Sequence, residues 1–177
     1  MHRLFVALRP PASLRALLIA AMGGVPGARW QDDGQLHCTL RYIGEVDSRT
    51  GDDIAQALAR VRHPPVELRI EGAGTFDRKG RIDTLWAGVA PREPLAALHA
   101  KIDRALIAAG VAPEGRSYLP HITLARFGRG AAPVHPPLEM LAGLGSPPFR
   151  VDHFLLYESH LGHDGAWYEP VTRYALA

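Results

Sequence analysis

One eight-residue stretch occurs twice in this chain. His37-Cys38-Thr39-Leu40-Arg41-Tyr42-Ile43-Gly44 aligns without a gap on His121-Ile122-Thr123-Leu124-Ala125-Arg126-Phe127-Gly128, with His, Thr, Leu and Gly in common. The copies lie 84 residues apart in a chain of 177, so each half carries one. Duplication of a strand-helix unit, giving two pseudo-symmetric lobes in one domain over residues 1–177, is the natural reading. Both copies have the residue types of strands, and strand side chains alternate between faces. His37 and Thr39 therefore share one face, with Cys38 and Leu40 on the other. The same parity separates His121 and Thr123 from Ile122 and Leu124. The apolar face belongs to a core, so both His-Thr pairs look onto a groove or a partner lobe. If a two-fold relates the lobes, the pairs converge on one cleft.

The rest of the chain alternates between the two periodicities. Residues 3–8 form a short apolar strand stopped by Pro10-Pro11, and residues 13–22 have helical spacing ended by Gly23-Gly24. Residues 52–62 read as an amphipathic helix, and residues 66–70 alternate as a half-buried strand. Residues 74–81 read as a loop with three positive charges, before a strand at 84–89. Residues 93–109 are the longest helix, capped by Gly110. A strand at 120–127 follows. Residues 128–148 are rich in Gly and Pro, with one turn of helix expected near 138–141, and strands at 149–158 and 167–176 close the chain. The order is α+β.

Composition narrows the function classes. Apolar residues are 47%, enough for a real core, yet no window of about 18 residues is continuously apolar, so no membrane span is expected. The N-terminus has neither the apolar length nor the cleavage site of a signal peptide. Cys38 is the lone cysteine, which excludes an internal disulfide and suits a reducing, cytoplasmic setting. The net charge of +2 is too small to argue for nucleic acid by itself. Only Lys79 and Lys101 are lysines, leaving 18 arginines, whose planar forks match phosphate oxygens. Abundant Ala, Gly and Pro point to genomic base composition for most of them.

Two imidazoles on one cleft suit proton transfer. With an unperturbed pKa of ~6.5, one can be neutral while the other is protonated. One then activates water while the other protonates a departing oxygen, each supplying about 10²–10⁴-fold. Threonine hydroxyls two residues along can donate to the non-bridging oxygens of a phosphate. A phosphodiester in a strained ring fits this set, because it needs proton transfer and anion binding without a metal or cofactor.

Paired H-x-T-x motifs in a chain of this length resemble the 2H phosphoesterase superfamily. Within it the sequence is similar to RNA 2′,3′-cyclic phosphodiesterases of the 2′-5′ RNA ligase type. The likeness runs through RLFVAL, LHCTLRYIGEV, TLWAGV, PHITLAR and FLLYESHLGHDGAWY. It implies a bilobal α+β fold, each lobe an antiparallel sheet with helices outside, and the active cleft between them. It also implies metal-independent opening of a terminal RNA 2′,3′-cyclic phosphate to a 2′-phosphomonoester, reversible as 2′-5′ ligation. By the resemblance, His37 protonates the leaving 3′-oxygen and His121 is the base on water. Thr39 and Thr123 hold the phosphate and Arg126 is its cationic partner. Uninterrupted alternation places Arg126 on the face away from His121, so that role needs its long side chain or a break in the strand. Arg41 has the matching parity and stands in reserve.

Other residues receive plainer assignments. The run from His160 to Asp164 has metal-ligand residue types but reads as a solvated turn between strands. His2, His63, His99, His135 and His153 are surface or packing residues, Cys38 is a core residue, and Trp30, Trp86 and Trp167 are assigned to packing. Phe5, Tyr42, Tyr118 and Tyr157 are candidates for stacking on a terminal base. The segment Arg78-Lys79-Gly80-Arg81 is either an RNA-backbone contact or a hairpin tip. A monomer acting on RNA cyclic-phosphate ends is the leading reading. The alternatives are a phosphodiesterase for a small nucleotide or ADP-ribose cyclic phosphate, and a non-catalytic nucleotide- or RNA-binding module.

Overall fold

The computed structural model describes residues 1–133 and 137–177; His135 lies outside them. The chain runs β1 (His2–Leu8), α1 (Ala12–Ala20), β2 (Ala28–Trp30), β3 (Cys38–Val46), α2 (Ser48–Leu58), β4 (Val66–Arg78), β5 (Arg81–Ala90), α3 (Arg92–Ala108), β6 (His121–Phe127), a 3-10 turn (Pro137–Leu141), β7 (Phe149–Val151), β8 (His153–Gly162) and β9 (Gly165–Ala175). All strand pairings are antiparallel, in the order β7-β4-β5-β6-β3-β1-β8-β9, with β2 added to β6. The two antiparallel halves expected from the repeat are thus joined edge to edge. The joint between β3 and β6 is one residue pair, Cys38 opposite Ile122.

A single core runs beneath both halves. Leu14 and Leu18 of α1, Ile54 and Leu58 of α2, and Leu95, Leu98, Ile102 and Leu106 of α3 pack against Val6, Leu8, Leu40, Leu85, Ile122 and Leu124 from the strands. The helices leave the other sheet face free, and the His-Thr pairs stand there. A small apolar cluster of Phe5, Ala7, Leu155 and Tyr157 sits on that face, with Tyr168 against it.

Several boundaries differ from the sequence reading for local reasons. Helix α2 begins four residues earlier than its amphipathic stripe, because the Asp47 carboxylate accepts from the Thr50 N–H (2.8 Å) and caps it. Residues 74–78 are strand, not loop: β4 and β5 form one long hairpin whose tip is Lys79-Gly80. Glycine hid this strand, yet Gly74 is required there, since a Cβ would overlap the indole of Trp86. His160 lies on β8, bonded to Glu169 (3.0 Å) and stacked on Trp167 at 4.1 Å, so only His163 and Asp164 make the turn.

Candidate active site

Residues paired across antiparallel strands point the same way. Cys38 and Ile122 are both buried in the core, at 3% and 1% exposure, so their neighbours His37, Thr39, His121 and Thr123 turn to the open face. The two motifs straddle one point, as the pseudo-two-fold reading expects. All four side chains are half-buried.

The rings are held alike. His37 Nδ1 donates to the Gln35 carbonyl (2.7 Å), and His121 Nδ1 donates to the Leu119 carbonyl (2.7 Å). A carbonyl only accepts, so both neutral rings carry their proton on Nδ1 and present a lone pair on Nε2. At His37 the Thr39 hydroxyl donates to Nε2 at 3.0 Å. Aromatic side chains buttress each ring. His37 packs against Phe5 (centroids 5.0 Å apart) and the edge of Tyr168 (5.1 Å). His121 packs against Phe76 (4.9 Å) and Trp86 (5.9 Å). Trp86 thus shapes the site, correcting its assignment to packing alone. Phe76 and Tyr168 were missed because only the pairing of distant strands brings them to this face.

Burial and charge act on both imidazoles in one direction. Desolvation lowers His37 to about 4, helped by the positive charge of Arg126 and by His121. Desolvation and then Arg126 also lower His121. In the free protein near neutral pH, both rings are therefore unprotonated, unlike the mixed state expected from ordinary histidines. An anion placed between them and Arg126 raises both again.

Arg126 reaches this face because β6 breaks step. Thr84 opposes Arg126 and Leu85 opposes Ala125, but Trp86 opposes Thr123, leaving Leu124 as an extra residue. This bulge turns Leu124 and Ala125 to the core and Arg126 to the exposed face. Strand β3 breaks at the matching place: Ala7 opposes Thr39 and Val6 opposes Arg41, with Leu40 extra. Arg41 consequently enters the core side. It is 5% exposed, its Nε donates to Asp103 (2.7 Å), and its other nitrogens donate to the carbonyls of Tyr42 and Ala112. The reserve assignment of Arg41 to the phosphate fails, since simple alternation does not survive the bulge.

Neighbouring groups fix the β3 bulge. His99 of α3 donates Nδ1 to the bulged Leu40 carbonyl (2.6 Å) and stacks flat on Tyr118 at 4.4 Å. Tyr118 donates its hydroxyl to the Thr39 carbonyl (3.0 Å). Of the four stacking candidates, Tyr118 is therefore committed to the core side, and Phe5 and Tyr157 stack on each other at 5.1 Å behind His37. Tyr42 alone of them is exposed, at 54%.

Among the described residues, Glu158, His160 and Glu169 form a group of three donors close enough to share a metal ion. His37 and His121 belong to no such group; their Nδ1 atoms are committed to carbonyls and threonines flank them. No helix among the described residues is long and apolar enough to cross a membrane.

This chain is 32% identical over 123 residues to an Aeropyrum pernix protein named RNA 2′,3′-cyclic phosphodiesterase, covering 69% of each chain. An Escherichia coli protein of the same name is 29% identical over 179 residues, covering 99% of this chain and 97% of its own. In fold, the chain matches crystal structures of E. coli LigT with 3′-AMP (TM-score 0.81, 27% identity, 99% and 98% coverage) and of a phosphoesterase (0.83, 28%, with the same coverage). The family model of the 2′-5′ RNA ligase superfamily matches residues 6–163, and the chain belongs to that superfamily.

Proposed function

We propose that this chain is a hydrolase that opens a terminal RNA 2′,3′-cyclic phosphate to a 2′-phosphomonoester, using two histidines as acid and base. His121 Nε2 takes the proton from a water whose oxygen attacks phosphorus. The bond from phosphorus to the 3′-oxygen breaks, and His37 Nε2, protonated, gives its proton to that oxygen. Thr39 and Thr123 donate to the non-bridging oxygens, and Arg126 offsets the charge that builds on them. With an RNA 5′-hydroxyl in place of water, the same transfers form a 2′-5′ phosphodiester: His121 takes the hydroxyl proton, its oxygen bonds to phosphorus, and the 3′-oxygen leaves with the proton from His37.

The observation that carries this reading is the shared tautomer lock. Each Nδ1 is tied to the carbonyl two residues before it, so each Nε2 turns its lone pair to one face, that of His37 accepting from the Thr39 hydroxyl until substrate takes the hydroxyl over. The relatives named RNA 2′,3′-cyclic phosphodiesterase support the reaction class, and the E. coli LigT crystal with 3′-AMP shows that protein accepting a nucleotide with a 3′-phosphate.

The depressed histidines fit the substrate's charge. A phosphodiester anion beside His37 favours its imidazolium, so substrate binding supplies the acid form that the free site lacks. The test is a short RNA ending in a 2′,3′-cyclic phosphate, incubated with excess chelator. Wild type is expected to yield the 2′-monophosphate, and His37→Ala and His121→Ala each to lose about 10²–10⁴-fold. Binding without turnover by the wild type would overturn the enzymatic reading in favour of a binding module.

A further inference from the structure

Beyond Arg126 the open face does not end. A depression of about 360 Å³ continues from it, lined by Arg29 of β2, Arg78, Lys79 and Arg81 at the β4–β5 tip, Arg126 of β6 and Arg129 just past it. Among the described residues Asp83 is the one carboxylate in the lining, and its Oδ1 already accepts from the Thr84 hydroxyl (3.0 Å). Six cations against one carboxylate give this hollow a local +5, in a chain whose net charge is +2. Outside the hollow some arginines find acids, as Arg3 does with Glu45, Arg15 with Asp33 and Arg41 with Asp103, and others stand singly on the surface. Among the described residues none of these six makes an ion pair.

The convergence is built by the fold. Arg29 stands directly opposite Arg126 across β2 and β6, and Arg78 stands opposite Arg81 in the hairpin. Arg81 also donates to the Arg129 carbonyl (3.0 Å), holding the loop after β6 against the hairpin tip. Like charges held together are unfavourable unless an anion comes between them. Arg126 belongs to both places, since it acts on His37 and His121 and also lines the hollow. The Arg126 side chain reaches back toward the histidines, but its backbone lies five residue steps along β6 from His121, roughly 16 Å at strand rise and somewhat less across the bulge, and the other five cations stand level with it or beyond. A ligand must therefore be longer than one nucleoside phosphate to touch the histidines and fill the hollow together.

We propose that this hollow is a second phosphate site, which grips the RNA backbone upstream of the reacting end and makes the protein selective for oligonucleotides over mononucleotides. The proposal rests on the function proposed above. Guanidinium forks hold phosphodiester oxygens in pairs and read no base, so the grip is indifferent to sequence.

The test compares a nucleoside 2′,3′-cyclic phosphate with a free 5′-hydroxyl, its 5′-phosphorylated form, and a tetranucleotide ending in the same cyclic phosphate. Wild type is expected to favour the tetranucleotide in kcat/KM by about tenfold or more, the scale of one charge-assisted contact. Arg78→Gln with Arg129→Gln should remove that advantage through KM, leaving the free 5′-hydroxyl nucleoside unaffected because it cannot reach the hollow. Equal handling of the three substrates by wild type, or equal loss on all three in the variant, overturns the proposal. An advantage complete with the 5′-phosphorylated nucleotide also overturns it, by assigning the hollow to a small phosphomonoester.

A second arm reads the hollow without turnover. Binding of a tetranucleotide ending in a 2′-phosphate is measured across a salt series, where each phosphate contact contributes a slope of about −0.7 in log K against log salt. A shallower slope in the double variant supports the site, and an unchanged slope rejects it. Should wild type turn over none of the cyclic phosphates, the proposed reaction fails and this arm alone decides the hollow.

Discussion

Cys38 faces Ile122 at the one residue pair where β3 meets β6, and both side chains are buried in the core. That junction sets the spacing of the His-Thr pairs beside it. Burial pushes the Cys38 thiol up to about 11, so it stays protonated and unreactive in the folded protein. Alkylation at pH 8 is expected to require unfolding and to follow the unfolding rate. Labelling of the native protein as fast as a free thiol would mean that the two halves part at this pair.

The two arginines that compete for the phosphate give opposite signatures. Asp103→Ala with Glu114→Ala removes both carboxylates beside the buried Arg41 guanidinium, at 2.7 and 3.7 Å, and should destabilise the protein by about 3–5 kcal/mol, the scale for breaking a buried pair. At 2–4 °C per kcal/mol for this size, Tm should fall by about 6–20 °C, with kcat/KM little changed while the protein is folded. Arg126→Ala, an exposed position, should leave Tm in place and reduce kcat/KM. Thermal melts beside kinetics separate them, and a reversed pattern would exchange the two roles.

The depressed histidines give the rate a distinct pH dependence. The alkaline limb of kcat/KM reports loss of the acid, His37, in the free protein, whereas kcat reports it in the complex. A bound phosphate anion raises that group, so the alkaline limb of kcat should lie at higher pH than that of kcat/KM. Arg126→Ala should move the kcat/KM limb upward, since Arg126 helps lower His37. Coincident limbs in the wild type would remove the coupling of substrate charge to protonation.

His37 also links stability to pH. Its folded value of about 4 lies below the ordinary 6.5. Between these values the unfolded chain binds a proton that the folded chain refuses, so stability is full above pH 6.5 and declines as pH falls toward 4. Denaturant titrations at pH 4.5 and pH 7 should show this loss, and His37→Asn should reduce it. An equal pH dependence in wild type and variant would mean that the surroundings of His37 do not desolvate its ring.

Gly74 supports the His121 side at a distance. A methyl group at this position would overlap the Trp86 indole, which packs against His121. Gly74→Ala should displace the indole, lower kcat and shift the His121 titration followed by NMR. An unchanged titration would show that Trp86 does not hold the ring.

The repeat, the α+β order and the common face within each pair, His37 with Thr39 and His121 with Thr123, were legible in the chain's residues alone, whereas the pairing of Cys38 with Ile122 brings the two pairs to one face. Local chemistry sufficed within each pair, because strand alternation over two residues needs no knowledge of the partner strand. Long-range packing takes over one residue later. The bulges at Leu40 and Leu124 turn Arg41 inward and Arg126 outward, and a bulge exists only as a mismatch between paired strands. Trp86, Phe76 and Tyr168 reach the histidines through registers set far along the chain, and the basic hollow forms where four separate segments meet. The histidines' low proton affinity likewise arises from burial and from a guanidinium on another strand or beyond a bulge, neither of which a linear pattern records.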